Sequence, residues 1–382
     1  TDLVSHPDKG GTYAWRVLAK TLSYVASLVP EITDDIASVD RAMKSGYAWK
    51  NGPFEQIDQL GVGWLVERLE ADGMPVPPLL AEANSAPVYR EADTGVEVRT
   101  VTGSYTPVVR PEGMKRLSYY KHRRDPVSTN ASATIWDIDD GVACLEFHSK
   151  MNSISGETLQ TIVAAIDIAE AEDYAGVVVG NQAANFSVGA NLKLVADAAG
   201  QKNFGVVEEM LQAFHGTVLR MRYSSKPVVV AVQGLALGGG CEIALGGDRI
   251  QAAAETYLGL VELGVGLIPA GGGTRELACR THEQTPSGVG EVLFPSLSAS
   301  FETVAKATTS TSAANARTIG FVQQADAISM NRDRALRDAK NRVIQMAEAG
   351  YRPPRARHSV RVAGSAGIAA VSYTHLTLPT KA

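Results

Sequence analysis

Apolar residues recur at three- and four-residue spacing between Tyr13 and Val29, through Trp15, Leu18, Ala19, Leu22, Val25 and Ala26. That is the stripe of an amphipathic helix. Thr33-Asp34-Asp35 offers an N-cap and early negative charge to a second helix carrying Ile36, Val39 and Met43, which Gly46 is placed to end. Asn51-Gly52-Pro53 opens a third, with Pro53 suited to the first turn and Phe54, Ile57, Asp58 and Leu60 following. Pro75, Pro77 and Pro78 close the group, so the first hundred residues read as helical. Periodicity then lapses until about Asn130, with Pro107, Pro111 and Pro126 in a stretch that reads as a linker.

From Ala133 the pattern changes. Ile135–Ile138 and Val142–Phe147 read as short strands around the turn Asp139-Asp140-Gly141. A helix follows over about 155–171, then the apolar strands Gly176–Val179 and Val228–Val232, each leading into a helical segment. The second of these strands is expected to end at Gln233-Gly234. Beyond about 312 the chain reads as helical again, notably Ala327 to Ala349. Strands alternating with helices predict an α/β core with parallel pairing. The expected organisation is a helical domain at 1–100, a linker at 101–130, an α/β domain with C-terminal helices at 131–350, and a truncated tail at 351–382. Ser372 onward fits neither neighbour and is expected to be non-native, and both ends read as cut from something longer.

A length of 382 residues allows two or three domains, and 45% hydrophobic with 20% charged residues is a globular composition. The formal charge of −5 gives no push toward nucleic acid or an anionic membrane. The basic run Lys115-Arg116 and Lys121-His122-Arg123-Arg124 reads as solvated linker, with contact to an anionic ligand the sharper alternative. Cys144, Cys241 and Cys279 are scattered without a C-x-x-C, which argues against a disulfide framework or thiolate zinc site and suggests a reducing compartment; a cytoplasmic setting is expected. No run of eighteen apolar residues suggests a membrane span.

The chemistry concentrates between Lys226 and Leu277. Leu235-Ala236-Leu237-Gly238-Gly239-Gly240 leads directly into a helix at Cys241-Glu242-Ile243-Ala244-Leu245. Glycines permit close backbone approach, and the free N–H groups of a helix start suit a developing negative charge. A glycine-rich turn needed only for packing is the plain alternative. There is no G-x-x-x-x-G-K-[ST], no G-x-G-x-x-G, no G-x-S-x-G and no metal-ligand spacing of histidines, so neither a phosphate loop, a dinucleotide fingerprint, a serine nucleophile elbow nor a metal site is expected.

Ala231-Val232-Gln233-Gly234, Gly238-Gly239-Gly240-Cys241-Glu242, Gly259-Leu260-Val261-Glu262 and Gly266-Leu267-Ile268-Pro269-Ala270-Gly271-Gly272-Gly273-Thr274 together resemble the crotonase superfamily. Asn185-Phe186-Ser187-Val188-Gly189-Ala190-Asn191-Leu192-Lys193 is similar to that family's first oxyanion-hole segment. The resemblance implies a crotonase-like spiral of strand-strand-helix units and enoyl-CoA hydratase activity. It implies that the backbone N–H groups of Ala190 and Gly239 polarise a thioester carbonyl, with Glu242 activating water and Glu262 donating a proton to carbon. Gly189, Gly238, Pro269, Ala270 and Gly271 would help bind substrate. No metal or redox cofactor is implied for hydration, and an acyl-CoA is the implied substrate; isomerisation is the alternative family reaction. Asn191 stands where many hydratases carry Asp, and Pro269-Ala270-Gly271 replaces a more usual Pro-Gly-Ala order. Asp248 reads as structural, bonding backbone in a turn.

The stretch Asp40 to Gly61, within about residues 10–90, resembles the C-terminal helical domain of 3-hydroxyacyl-CoA dehydrogenases. The order of the two segments, with Met330-Asn331-Arg332-Asp333-Arg334, looks like the C-terminal part of a bifunctional fatty-acid β-oxidation protein. NAD would then belong to the missing dehydrogenase portion, and a homo-oligomer with a thiolase as further partner is expected. A docking or assembly segment without activity of its own is the rival expectation.

Overall fold

The computed structural model describes residues 2–92, 95–109, 114, 116–284, 293–357, 359–360, 364–365, 367–369 and 372. The expected non-native tail lies, beyond 372, outside the described residues. The chain divides into two compact units, Thr1–Glu112 and Gly113–Ala382.

The first unit begins with α1 (Asp2–Ser5), α2 (Lys9–Ser27), α3 (Ile36–Gly46), α4 (Pro53–Leu60), α5 (Val62–Ala71) and α6 (Pro78–Ala81). The stripe read on α2 buries Trp15, Ala19, Leu22 and Ala26 against Ile36, Phe54, Ile57 and Leu65. Asp35 caps α3 by accepting the Ser38 amide. Asp40, buried on α3, accepts the amides of Phe54 and Glu55 at 2.8 and 3.0 Å and the Tyr89 hydroxyl at 2.8 Å. One side chain thus satisfies the free N–H groups at the start of α4. Asp58 accepts the Val88 and Tyr89 amides, each at 2.7 Å.

The helical expectation ends at α6. Residues 89–107 form an antiparallel sheet of β1 (Tyr89–Ala92), β2 (Gly95–Arg99) and β3 (Tyr105–Pro107). Val96 and Val98 alternate with polar neighbours there, a period-2 signal too short to register against the flanking prolines. Part of the stretch read as a linker is therefore ordered sheet, and its far end carries α7 (Leu117–Lys121) and β4 (Ser128–Thr129) of the second unit.

The second unit is built on a seven-stranded sheet, ordered β10-β9-β8-β7-β6-β5-β4. Its further strands are β5 (Ala133–Asp137), β6 (Val142–Phe147), β7 (Gly176–Gly180), β8 (Val228–Leu237), β9 (Arg249–Gly259) and β10 (Ala327–Ser329). Strands β4 to β6 pair antiparallel, and β6 to β10 pair parallel. The helices are α8 (Gly156–Ala171), α9 (Leu192–Gly200), α10 (Phe204–Arg222), α11 (Gly239–Gly246), α12 (Gly273–Gln284), α13 (Leu293–Ala305), α14 (Ala313–Thr318) and α15 (Ala335–Glu348). Ser155 caps α8 through the Thr158 amide, and Val177–Val179 are wholly buried, as a strand covered on both faces requires.

Two strand ends differ from expectation. β8 does not stop at Gly234 but runs to Leu237, with a register shift between Val232 and Gly234. Such an irregularity bends a strand without ending it. The region after 327 opens with β10 before its helix, because Ala327–Ser329 pair with Gln251–Ala253.

The bend in β8 creates a second layer. Ile154 bridges to Ala190, Ser187 bridges to Ala236, and Gly234–Leu237 pair with Thr256–Gly259. Each unit of strand, second extended stretch and helix repeats along the chain, which is the strand-strand-helix spiral anticipated from the motifs. The second layer carries the glycine-rich segments.

Candidate active site

Segment 185–190 is fixed beside the second half of β8 by backbone bonds: Phe186 N to Gln233 O at 2.8 Å, Ser187 N to Leu235 O and Leu237 N to Ser187 O, both at 3.0 Å. The pairing carries Gly189-Ala190 to the start of α11. Gly189 has φ +100, and a Cβ on it would stand 2.9 Å from the Leu237 carbonyl oxygen and 3.2 Å from the Gly239 nitrogen. Only glycine fits that position. A Cβ on Gly239 would in turn stand 3.3 Å from the Ala190 nitrogen, so these two amides are close neighbours. Gly239 is the first residue of α11, where an N–H has no partner within its helix. Among the described residues, the Ala190 amide has no hydrogen-bond acceptor either. Two unsatisfied donors thus sit side by side at a helix N-terminus.

Glu242 lies in the first turn of α11 and is 4% exposed. Its Oε1 accepts the Gly273 amide at 2.9 Å, and the Gly271 and Gly272 amides also favour its charge. Burial nevertheless pushes its pKa above the ordinary carboxylate value; the three amides and nearby His215 oppose that shift. Glu262 begins a 3₁₀ turn, Glu262–Val265, just beyond β9. Burial, followed by the charge of Glu242, raises it to about 7. Its Oε2 is buried without a hydrogen-bond partner among the described residues, while Oε1 lies 3.2 Å from where a Cβ on Gly238 would stand. The two carboxyls therefore share one electrostatic environment beside the Gly238-Gly239 backbone.

Pro269, Ala270 and Gly271 lie on the turn that leads to α12. Gly271 leaves no room for a side chain: a Cβ would overlap Glu242 Oε2 and approach the Phe214 ring to 2.7 Å. The Ala270 carbonyl accepts a hydrogen bond from His215 Nε2, and the Pro269 carbonyl accepts one from Thr274 Oγ1 at 3.0 Å. Asn191 caps α9 by accepting the Lys193 amide at 3.2 Å. Asp248 bonds backbone as expected, accepting the Val228 amide at 2.8 Å, and additionally the Tyr351 hydroxyl at 2.8 Å. Sequence reasoning missed Phe214 and His215, which stand on α10 in no recognisable motif. Leu263, Val265, Leu267 and Ile268 are exposed immediately after Glu262, giving the site an apolar border.

Residues 137–289 match the family described as enoyl-CoA hydratase/isomerase. A probable 3-hydroxyacyl-CoA dehydrogenase of Bacillus subtilis is 38% identical over 375 residues, 97% of this chain and 46% of that protein. A putative fatty acid oxidation complex trifunctional enzyme of Rickettsia felis is 30% identical over 69% of this chain and 34% of its own length. A probable enoyl-CoA hydratase of Bacillus subtilis is 30% identical over 142 residues, 37% of this chain and 54% of that protein. The chain thus spans between about a third and about a half of these curated relatives.

Proposed function

We propose that this chain, whose residues 137–289 match the enoyl-CoA hydratase/isomerase family, adds water to 2-enoyl-CoA thioesters to give 3-hydroxyacyl-CoA. The observation that carries this reading is buried Glu242 and half-buried Glu262 set beside two unsatisfied backbone donors, Ala190 and Gly239. Water addition needs a base for the water, an acid for the α-carbon, and donors for the charge that develops on the thioester oxygen. Glu242, Glu262 and the two amides of Ala190 and Gly239 suit these roles.

The Ala190 and Gly239 amides receive the thioester carbonyl oxygen, and preorganised donors of this kind are typically worth about 3–4 kcal/mol each. Glu242, whose charge the Gly273 amide favours against burial, takes a proton from water as the oxygen bonds to the β-carbon. The electron pair of the double bond moves toward the carbonyl, and Glu262 delivers a proton to the α-carbon. At the end Glu242 holds the water's proton and Glu262 is ionised; proton exchange with solvent restores the pair. A carboxyl raised to about 7 is still protonated in a substantial share of molecules at neutral pH and can act as the acid. Gly189 and Gly238 shape the walls at the two amides, and the turn Pro269-Ala270-Gly271 supports Glu242. The exposed apolar residues after Glu262 suit an acyl chain.

Crotonyl-CoA tests the reading: its conjugated-thioester absorbance disappears as 3-hydroxybutyryl-CoA forms. An isomerised double bond in the product would assign the other family reaction, and no turnover by folded chain would favour an assembly role. We further propose that the first unit is the helical domain of a dehydrogenase and that the chain works within a bifunctional, multi-subunit fatty-acid oxidation protein in the cytoplasm, as a homo-oligomer with a thiolase as partner. No helix among the described residues is long and apolar enough to cross a membrane. The NAD that a dehydrogenase half would use finds no G-x-G-x-x-G in these residues, and no step here runs through it.

A further inference from the structure

Helix α10 touches both halves of the site. The Phe214 ring lies 3.2 Å from a Cβ position on Gly239 and 2.7 Å from one on Gly271. One turn on, Val218 lies 3.1 Å from a Cβ position on Gly246 and 3.4 Å from one on Gly272. The same helix face therefore packs against the segment offering the oxyanion amide and against the turn offering amides to Glu242. Packing of this kind sets how far the turn stands from α11, but apolar contact leaves the direction of its peptide groups loosely determined.

The hydrogen bonds set that direction. The Gly273 amide donates to Glu242 Oε1 at 2.9 Å, Gly271 stands directly against Oε2, and the Gly271 and Gly272 amides also favour the charge of this carboxylate. The two carbonyls just before them face away: Pro269 toward Thr274 Oγ1, and Ala270 toward His215 Nε2. The Ala270 carbonyl and the Gly271 amide belong to one planar peptide, so a donor on that oxygen fixes where the N–H opposite it points. His215 is exposed, so packing does not explain its place there.

We infer that His215 is a positioning residue for Glu242, acting through the Ala270–Gly271 peptide to hold the amides of 271–273 on the carboxylate. The inference rests on the reading of Glu242 as the group that activates water. His215 touches neither water nor thioester. Its imidazole Nε2–H donates to the Ala270 carbonyl, and without it that peptide rotates among solvated orientations in which the Gly271 amide leaves Glu242.

The test compares the full chain with His215→Ala and His215→Gln, the latter retaining a side-chain N–H donor. With crotonyl-CoA, His215→Ala is expected to lower kcat about tenfold, the scale of a small misplacement of a reacting group, with KM unchanged; His215→Gln recovers most of the rate. In ligand-free protein, carbon NMR of labelled glutamate, assigned with Glu242→Gln, is expected to show the Glu242 titration moved to higher pH in His215→Ala and returned toward the parent in His215→Gln. Unchanged kcat and titration would overturn the inference. So would a fall in kcat, KM and thermal midpoint together with the titration unmoved, which marks a merely structural role. If the parent chain does not hydrate crotonyl-CoA, the functional reading fails, and the titration still decides whether His215 positions Glu242.

Discussion

Gly271 and Glu242 are fitted so closely that the smallest side chain at 271 would overlap the carboxylate oxygen Oε2. The turn preceding α12 therefore approaches α11 as bare backbone, and its amides do what a side-chain donor would do elsewhere. A carboxylate held this way accepts backbone N–H directly, with the His215 side chain nearby also favouring its charge.

Gly271→Ala should displace the carboxylate of Glu242 or the turn itself. Overpacking in a well-filled site typically costs about 1–3 kcal/mol. The expected result is a lower thermal midpoint and a fall in crotonyl-CoA hydration of at least about tenfold. Parent-like values on both measures would show that the turn yields easily.

The pH dependence follows from Glu262. Its pKa is raised to about 7 by burial and by Glu242. In the proposed role of proton donor it must be protonated, so hydration should fall as pH rises through about 7. Glu242→Gln removes one cause of the shift, and NMR titration of Glu262 in that variant should move to lower pH.

In the first unit, Asp40 is raised from 3.8 to about 6, chiefly by burial. A folded-state value above the unfolded one contributes stability that is fully present below about 4 and is lost as pH rises through about 6. The difference corresponds to roughly 3 kcal/mol. Denaturation followed by tryptophan emission reports mainly this unit, since Trp15, Trp49 and Trp64 lie in it and Trp136 does not. The expected midpoint is higher at pH 5 than at pH 8, and Asp40→Asn should flatten the difference.

Much of this arrangement was legible in the sequence where local chemistry and packing agree. The caps Asp35 and Ser155, the buried valines of β7 and the glycines near Glu242 each carry a short-range signal. Other features depend on distant partners. β9 begins Arg249-Ile250-Gln251-Ala252-Ala253-Ala254, a polar and alanine-rich run that is a strand because β8 and β10 flank it. The bend at Gln233 hid the second half of β8 behind an apparent stop at Gly234. Asp40 looked like an ordinary helix residue, because the amides it caps lie 14 and 15 positions later. His215 carries no motif, and its meaning comes from a carbonyl 55 residues away.

We propose that Glu242 and Glu262 jointly hydrate an enoyl thioester. Steady-state turnover of crotonyl-CoA by the full chain and by Glu242→Gln and Glu262→Gln tests it most directly. The expected product is 3-hydroxybutyryl-CoA, with a loss of about 10²- to 10⁴-fold in kcat for each variant with the fold intact. Parent-level turnover in either folded variant would contradict it.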